Sequence, residues 1–296
     1  MNDGKPEDPF ANRLLLVDGM AILFRAYYAT AYAGGIRRTS AGVPVNAVHG
    51  FVRYFMNAVG TFRPTHVACC WDTGGGTFRS EQFADYKMNR PEAPIDLVPQ
   101  FDLVKEVVES FGVPNVEYAG FEADDCIGTL ARRHCPTADV FVLTGDQDLL
   151  QLVDDRIAVV LMMKGQGNYK VYTPQTLMEE RQLTPRQIID VKALMGDASD
   201  NYPGVRGIGE KTALKLIRQY ESVEGLLERL HELSGSVRAK IEADLDMLHL
   251  SRKLATIRCN VPVSLELRDC LWAVDRNAVE RKFEELEFGG LAKLIV

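Results

Sequence analysis

Three short runs of this chain, residues 13–17, 66–71 and 139–143, are almost continuously apolar. Each is followed within three residues by aspartate: Asp18, Asp72, and Asp146 with Asp148. A continuous apolar run, rather than an alternating one, marks a parallel strand buried on both faces. Residues 113–118 read as a further short strand, and 157–162 with 169–172 flank the glycine-containing turn 164–168 as a hairpin. Between the strands the apolar positions recur at helical spacing, over 20–29, 46–60 with Asn46 as N-cap, and 101–111. Residues 122–134 do the same, burying Ala123, Cys126, Ile127, Leu130 and Ala131 on one face. Strands alternating with helices predict an α/β domain over 1–175, with a mostly parallel central sheet flanked by helices. Beyond residue 175 the pattern is helical throughout. Thr184-Pro185 opens one helix, which ends near Gly196, and 211–220 forms another. From 276 the chain closes with a helix and a short apolar tail. Residues 176–296 are therefore expected to form a helical subdomain.

Two stretches break this rhythm. Residues 73–99 are first glycine-rich, then basic and aromatic (Arg79, Phe83, Tyr86, Lys87, Arg90), then punctuated by prolines. Connections this long are usually functional or mobile. Basic side chains interleaved with aromatics suit a single nucleic-acid strand, gripping phosphates and stacking on bases. The second stretch, Pro203-Gly-Val-Arg-Gly-Ile-Gly-Glu-Lys-Thr212, places Gly204, Gly207 and Gly209 ahead of an amphipathic run that begins Lys211-Thr212. Glycines allow close backbone approach, and the helix N-terminus that follows offers unpaired N–H groups to a phosphate. Such a hairpin would hold phosphates without reading bases. The later mixture of Lys215, Arg218, Arg238, Lys240, Arg252 and Lys253 with acids reads as a solvated face.

The acids carry the chemistry. Glu122-Ala-Asp124-Asp125 opens a helix, where negative charge suits the dipole. Asp18, Asp72, Asp146, Asp148, Asp197 and Asp200 add to it, most of them at strand ends, where ligands bind in open α/β sheets. Carboxylates gathered there repel one another unless divalent cations neutralise them. This points to a two-metal enzyme that cleaves phosphodiesters. Composition agrees: 296 residues, 46% hydrophobic and 25% charged, is an ordinary globular chain. A net charge of −7 disfavours nucleic acid only until the candidate metal acids are set aside. The six cysteines lack metal-ligand spacing and read as reduced buried thiols. No run would span a bilayer and the polar start is not a signal peptide, so a cytoplasmic protein with no membrane partner is expected.

The acidic helix, the Thr144-Gly-Asp-Gln-Asp148 turn and above all the run from Gly196 to Ala213 resemble the 5′-nuclease family. That family includes flap endonucleases, bacteriophage 5′-nucleases and the N-terminal domain of bacterial DNA polymerase I. The likeness is to its bacterial branch and extends from residue 14 to about 291. It implies a helical arch over about 73–99 and a helix–three-turn–helix over about 196–220. By position, Asp18, Asp72, Glu122 and Asp124 would serve one metal, and Asp146, Asp148 and Asp200 a second, with Asp125 and Asp197 in the outer shell. Lys87 and Arg90 match the arch's catalytic cations, while Arg79, Tyr86, Gly204, Gly207, Gly209, Lys211 and Thr212 would bind DNA. The resemblance implies two Mg²⁺, with Mn²⁺ an alternative, and K⁺ at the glycine hairpin. It implies a monomer acting on DNA with a 5′ single-stranded flap or end beside duplex, leaving a 5′-phosphate. No polymerase domain follows residue 296, so a stand-alone nuclease is expected.

Three other readings compete with this one. A haloacid-dehalogenase-type phosphatase would need a second aspartate two residues after the first, where Met20 stands. A metal-dependent ribonuclease leaves the glycine hairpin unexplained. A DNA-binding protein without chemistry would have no use for so many carboxylates beside phosphate.

Overall fold

The structure is a computed structural model and describes residues 12–295. The polar start, expected not to be a signal peptide, lies outside the described residues. Six strands form one sheet in the order β3-β2-β1-β4-β5-β6: β1 Arg13–Asp18, β2 His66–Cys70, β3 Asn115–Val116, β4 Asp139–Thr144, β5 Ile157–Met162 and β6 Tyr169–Tyr172. All pairings are parallel except β5 with β6, the hairpin expected at 157–172. Leu14, Leu15, Leu16 and Val17 have no solvent exposure, as the continuous apolar run requires. β3 keeps only two residues of the expected 113–118.

The helices are α1 Gly19–Gly34, α2 Asn46–Phe62, α3 Phe78–Gln82, α4 Gln100–Ser110, α5 Ala123–His134, α6 Pro174–Arg181 and α7 Pro185–Met195. Then come α8 Glu210–Tyr220, α9 Val223–Glu228, α10 Gly235–Ala243, α11 Leu245–Ala255 and α12 Arg276–Glu285. One face of the sheet packs Leu15 and Val17 against α1, α2 and α4; the other packs Leu14 and Leu16 against α5. α1 runs past residue 29, to the turn at Gly35, where φ is 84°. Asn46 is not the N-cap of α2. Val45 holds that position with no side-chain cap, and Gln100 Oε1, from the start of α4, accepts from the N–H groups of Ala47 (2.7 Å) and Val48 (3.1 Å) instead. Asn46 is buried beneath, accepting from Gln100 Nε2. A tertiary cap of this kind leaves no local sequence signal.

A separate cluster, including Leu194, Val205, Ile208, Leu216, Ile217 and Leu248, is the core of a helical subdomain. The chain does not stay there. Ile257, Val261 and Val263 pack with Leu14 and Leu16, and Val279, Phe283 and Phe288 pack with Leu15, Phe51 and Trp71. Residues 257–295, grouped by the sequence with the helical half, thus belong to the two faces of the α/β body. Their apolar spacing shows that they are buried but not what they are buried against.

Candidate active site

Because β1 to β4 are parallel neighbours, their carboxyl ends share one edge, and the acids arrive there together. Asp18 ends β1, where its Oδ1 accepts from Ala21 N (3.0 Å) and its Oδ2 from Thr144 Oγ1 (2.7 Å). Asp72 follows β2 and accepts from Ala123 N, at the start of α5, at 2.7 Å. Glu122 and Asp125 form a capping box at that same helix start. Beyond β4, Asp146 Oδ1 accepts from Asp148 N (2.8 Å). Burial raises the Asp18 carboxyl to about 6, with Asp72 and Asp146 adding to the effect. Asp148 is also raised to about 6, by burial and then by Asp146, against the pull of Lys192. Burial and the charges of Asp18 and Asp146 push Asp124 well above the ordinary carboxylate range. These carboxyls therefore feel one another as a group.

The connection 73–99 closes over this edge. Its helical content is confined to α3, and the rest is turns and irregular chain. Lys87 Nζ stands 2.6 Å from Glu122 Oε1, and Arg90 Nη2 stands 2.5 Å from Asp200 Oδ1. Tyr86 Oη donates to Asp200 Oδ2 at 2.9 Å. Backbone and amide groups tie the same segments: Lys87 N donates to Asp200 O (2.9 Å), and Asn201 Nδ2 to Asp85 O (2.7 Å). Lys87 and Asn201 both have positive φ, 58° and 59°. That conformation is costly for lysine, and the cross-links hold it. Beneath the segment remains a cavity of about 20 Å³, lined by Lys87, Arg90, Glu122, Asp124, Asp148 and Asp200 among others.

The structure gathers most of the expected residues but alters the role of several. Arg79, expected to bind DNA, is 2% exposed and has no free face. Its Nη1 and Nη2 donate to Asp125 at 2.7 and 2.9 Å, its Nε to Leu254 O at 2.8 Å, and its Nη2 also to Thr256 O at 3.0 Å. A basic residue in a basic, aromatic loop looks like a nucleic-acid ligand. Only the distant chain ends at α5 and α11 reveal it as a strut. Asp125 is fully buried as its partner, away from the open acids. Asp197 accepts from Ser199 N (2.7 Å) and pairs with Lys192. Burial would raise its carboxyl, but Lys192 and Ser199 outweigh that and hold it low. Tyr86 is buried as well, stacked on Tyr202 at 6.5 Å. Lys192, which pairs with Asp148 at 2.7 Å and with Asp197, was absent from the expected set. Its spacing of five residues before Asp197 was the only signal available.

In the hairpin, Gly204 is buried rather than presented to a ligand. Its φ is 63°, and a Cβ there would lie 2.3 Å from Gly196 N and 2.6 Å from Leu194 O. Gly207 and Gly209 are exposed. Gly207, with φ 78°, faces the Lys240 side chain, whereas a Cβ on Gly209 would meet nothing within 4 Å. Gly209 is the N-cap of α8, and Lys211 and Thr212 lie in its first turn.

As the side chains stand, no three His, Cys, Asp or Glu among the described residues are grouped to hold a metal ion. Glu122 and Asp200 are instead committed to Lys87 and Arg90. The donor set nevertheless fits a hard divalent cation, since Asp18, Asp72, Glu122, Asp124, Asp146, Asp148 and Asp200 offer only oxygen. The raised carboxyls are what a cation at this edge would relieve.

The site is thus an oxygen-only acid crevice at the carboxyl edge of a doubly wound sheet, beside a glycine-hairpin subdomain. The chain matches the descriptions "5'-3' exonuclease, N-terminal resolvase-like domain" over residues 13–182 and "5'-3' exonuclease, C-terminal SAM fold" over 183–278. It therefore belongs to the 5′-3′ exonuclease family, and is an enzyme of the nuclease class. It is 51% identical to a 5′-3′ exonuclease of Bacillus subtilis, over 96% of both chains. It is 40% identical to DNA polymerase I of Lactococcus lactis, covering 94% of this chain and 32% of that one. Among solved structures it is similar to bacteriophage T5 5′-exonuclease with bound zinc ions (TM-score 0.68, 22% identity, 94% and 99% of the two chains). The catalytic core of Rad2 in complex with DNA substrate is also similar (TM-score 0.61, 17% identity, 96% and 93%). No helix among the described residues is long and apolar enough to cross a membrane.

Proposed function

We propose that this enzyme hydrolyses DNA phosphodiesters near a 5′ end, as a 5′-3′ exonuclease and 5′-flap endonuclease assisted by two divalent metal ions. The observation that carries this reading is the acid group at the sheet edge, whose carboxyls are raised by burial and by one another. Asp18, Asp72, Glu122 and Asp124 would hold one Mg²⁺, and Asp146, Asp148 and Asp200 the other, with Mn²⁺ an acceptable substitute. Bound ions of this kind lower the pKa of an attacking water and stabilise the leaving oxygen. Asp125 and Asp197 serve from the outer shell: Asp125 fixes Glu122 through Arg79, and Asp197 caps the turn that carries Asp200.

Lys87 and Arg90 exchange partners during the reaction. In the free protein their charges rest on Glu122 and Asp200; a scissile phosphate and the metals would take over those two roles together. Lys87 then stabilises charge developing on the phosphate. Gly207 and Gly209, with Lys211 and Thr212 behind them, grip duplex phosphates, and K⁺ would sit at that turn. The preferred substrate is duplex DNA bearing a 5′ single-stranded end or flap. On this reading the enzyme acts as a monomer in the cytoplasm, which six free thiols among the described residues suit. The test is a 5′-labelled flap DNA incubated with Mg²⁺ and with chelator, beside an RNA of equal length. Metal-dependent release of a short 5′ product from the DNA is expected; cleavage of the RNA alone would overturn the reading.

A further inference from the structure

Two grooves flank α7, and they are unlike. The larger, about 790 Å³, is lined from α7 by Ile188, Val191, Lys192 and Met195, and reaches Asp146, Asp148 and the hairpin helix α8. The smaller, about 640 Å³, is lined by Arg186 and Ile189 of α7 and by His249, Arg252, Lys253 and Thr256 at the end of α11. At about 100° per residue, the two sets of α7 positions lie on nearly opposite faces of the helix. Between the grooves stands the base of the 73–99 connection, where Phe83 and Tyr86 pack with Ile189, Leu250 and Leu254. Leu254 and Ala255 line the acid cavity, while Arg252, Lys253 and Thr256, interleaved with them at the same end of α11, line the smaller groove.

The smaller groove is basic. Arg252 is already held by Asp190 and Glu224. Arg186 and Lys253 are exposed and make no ion pair within 4 Å among the described residues, although Arg186 lies near enough to Glu224 to help lower its carboxyl. Two exposed cations and an imidazole over an isoleucine floor match the backbone of a flexible polyanion more closely than they match an apolar partner. This is part of the charge run that sequence alone left as a solvated face.

We propose that this second groove binds the phosphates of the single-stranded 5′ segment after it has passed the acids and emerged beyond the base of the arch. Duplex lies in the larger groove and the displaced strand in the smaller, with α7 as the wall between them. The proposal rests on the 5′-nuclease reading and would make affinity depend on flap length.

The experiment compares binding, in chelator, of substrates with a one-nucleotide and an about ten-nucleotide 5′ flap, a length within the usual single-strand site sizes. The wild-type chain should bind the longer flap more tightly. In Arg186→Ala/Lys253→Ala that preference should collapse, and the salt slope for the longer flap should fall by about 1.4 units. Arg186→Lys/Lys253→Arg should restore it. No length preference in the wild type, or a preference that survives the double alanine variant, would overturn the proposal. Cleavage of the one-nucleotide substrate with Mg²⁺, measured separately, reports on the underlying nuclease reading.

Discussion

The 73–99 connection and the 196–212 hairpin are both irregular, glycine-containing and mixed in charge, with slightly more acids than bases in each, yet the fold leaves them in opposite conditions. The hairpin is built and open: Gly204 locks its backbone against Leu194 and Gly196, while Gly209 faces empty space at a helix start. The connection is built and closed, with Lys87, Arg90, Tyr86 and Arg79 all spent on carboxylates. One region can meet a phosphate without rearrangement. The other must first give up internal partners, so its contribution depends on what replaces them. Binding and chemistry are thereby assigned to different regions, and the assignment can be broken.

The largest effect is expected at the acids both regions serve. Asp124→Ala or Asp146→Ala should lower single-turnover cleavage by more than the ~100-fold typical of an outer-shell loss. Affinity for duplex DNA should stay within a few-fold, because in the proposed function these carboxylates would hold metals rather than phosphates. Near-normal turnover at saturating Mg²⁺ would remove them from the site.

Next in size is Arg79→Ala. It leaves Asp125 buried and uncompensated, and removing one partner of such a pair costs about 3–5 kcal/mol. A large fall in denaturant midpoint marks a strut; an unchanged midpoint with weakened DNA binding would return Arg79 to the interface.

Lys87→Ala should slow cleavage of bound DNA about 100-fold with little loss of affinity. Gly209→Val should do the reverse, weakening any duplex-containing substrate while a variant already bound cleaves at the normal rate. Equal behaviour of the two variants would erase the distinction between the regions.

Within the hairpin, Gly204→Val should destabilise the fold by about 2–4 kcal/mol, through positive φ and backbone overlap together. Gly209→Val should leave melting unchanged, so thermal scans of the two variants separate structure from binding.

The smallest effect concerns pH. Asp18 and Asp148 titrate near 6 in the fold, above the ordinary carboxylate value, so folding favours their protonated forms. Their contribution to the metal-free protein should improve as pH falls from about 7 to about 5, with no further gain well below the unfolded value. Mg²⁺ should raise the melting temperature at pH 7 and lose that effect at pH 5. Asp148→Asn should flatten the metal-free pH trend; an identical trend would show that other groups set it.

The sheet was legible because a run such as Leu14-Leu15-Leu16-Val17 has one physical solution, and the acids were legible because strand ends deliver them to one edge. Gly204 and Arg79 show where that reading stops. Both were assigned to DNA on residue type, and both are decided by partners remote in sequence or by backbone overlap. Val45, capped through Gln100, fails for the same reason: the interaction is tertiary and leaves no local periodicity. The ion pairs that close the acid crevice join residues about 35 and 110 positions apart, a separation no spacing rule addresses.

The return of residues 257–295 to the α/β body also bears on biosynthesis. Strand β1 leaves the ribosome well before the segments that complete its two faces, Ile257 and Val261 on one side and Phe283 and Phe288 on the other. Domains commonly fold in order of synthesis, at about 5–20 residues per second. Here the nascent sheet must wait roughly 15–60 seconds at that rate with part of its apolar surface uncovered. The helical subdomain, whose core lies within residues 183–248, can consolidate before the body that precedes it in the chain.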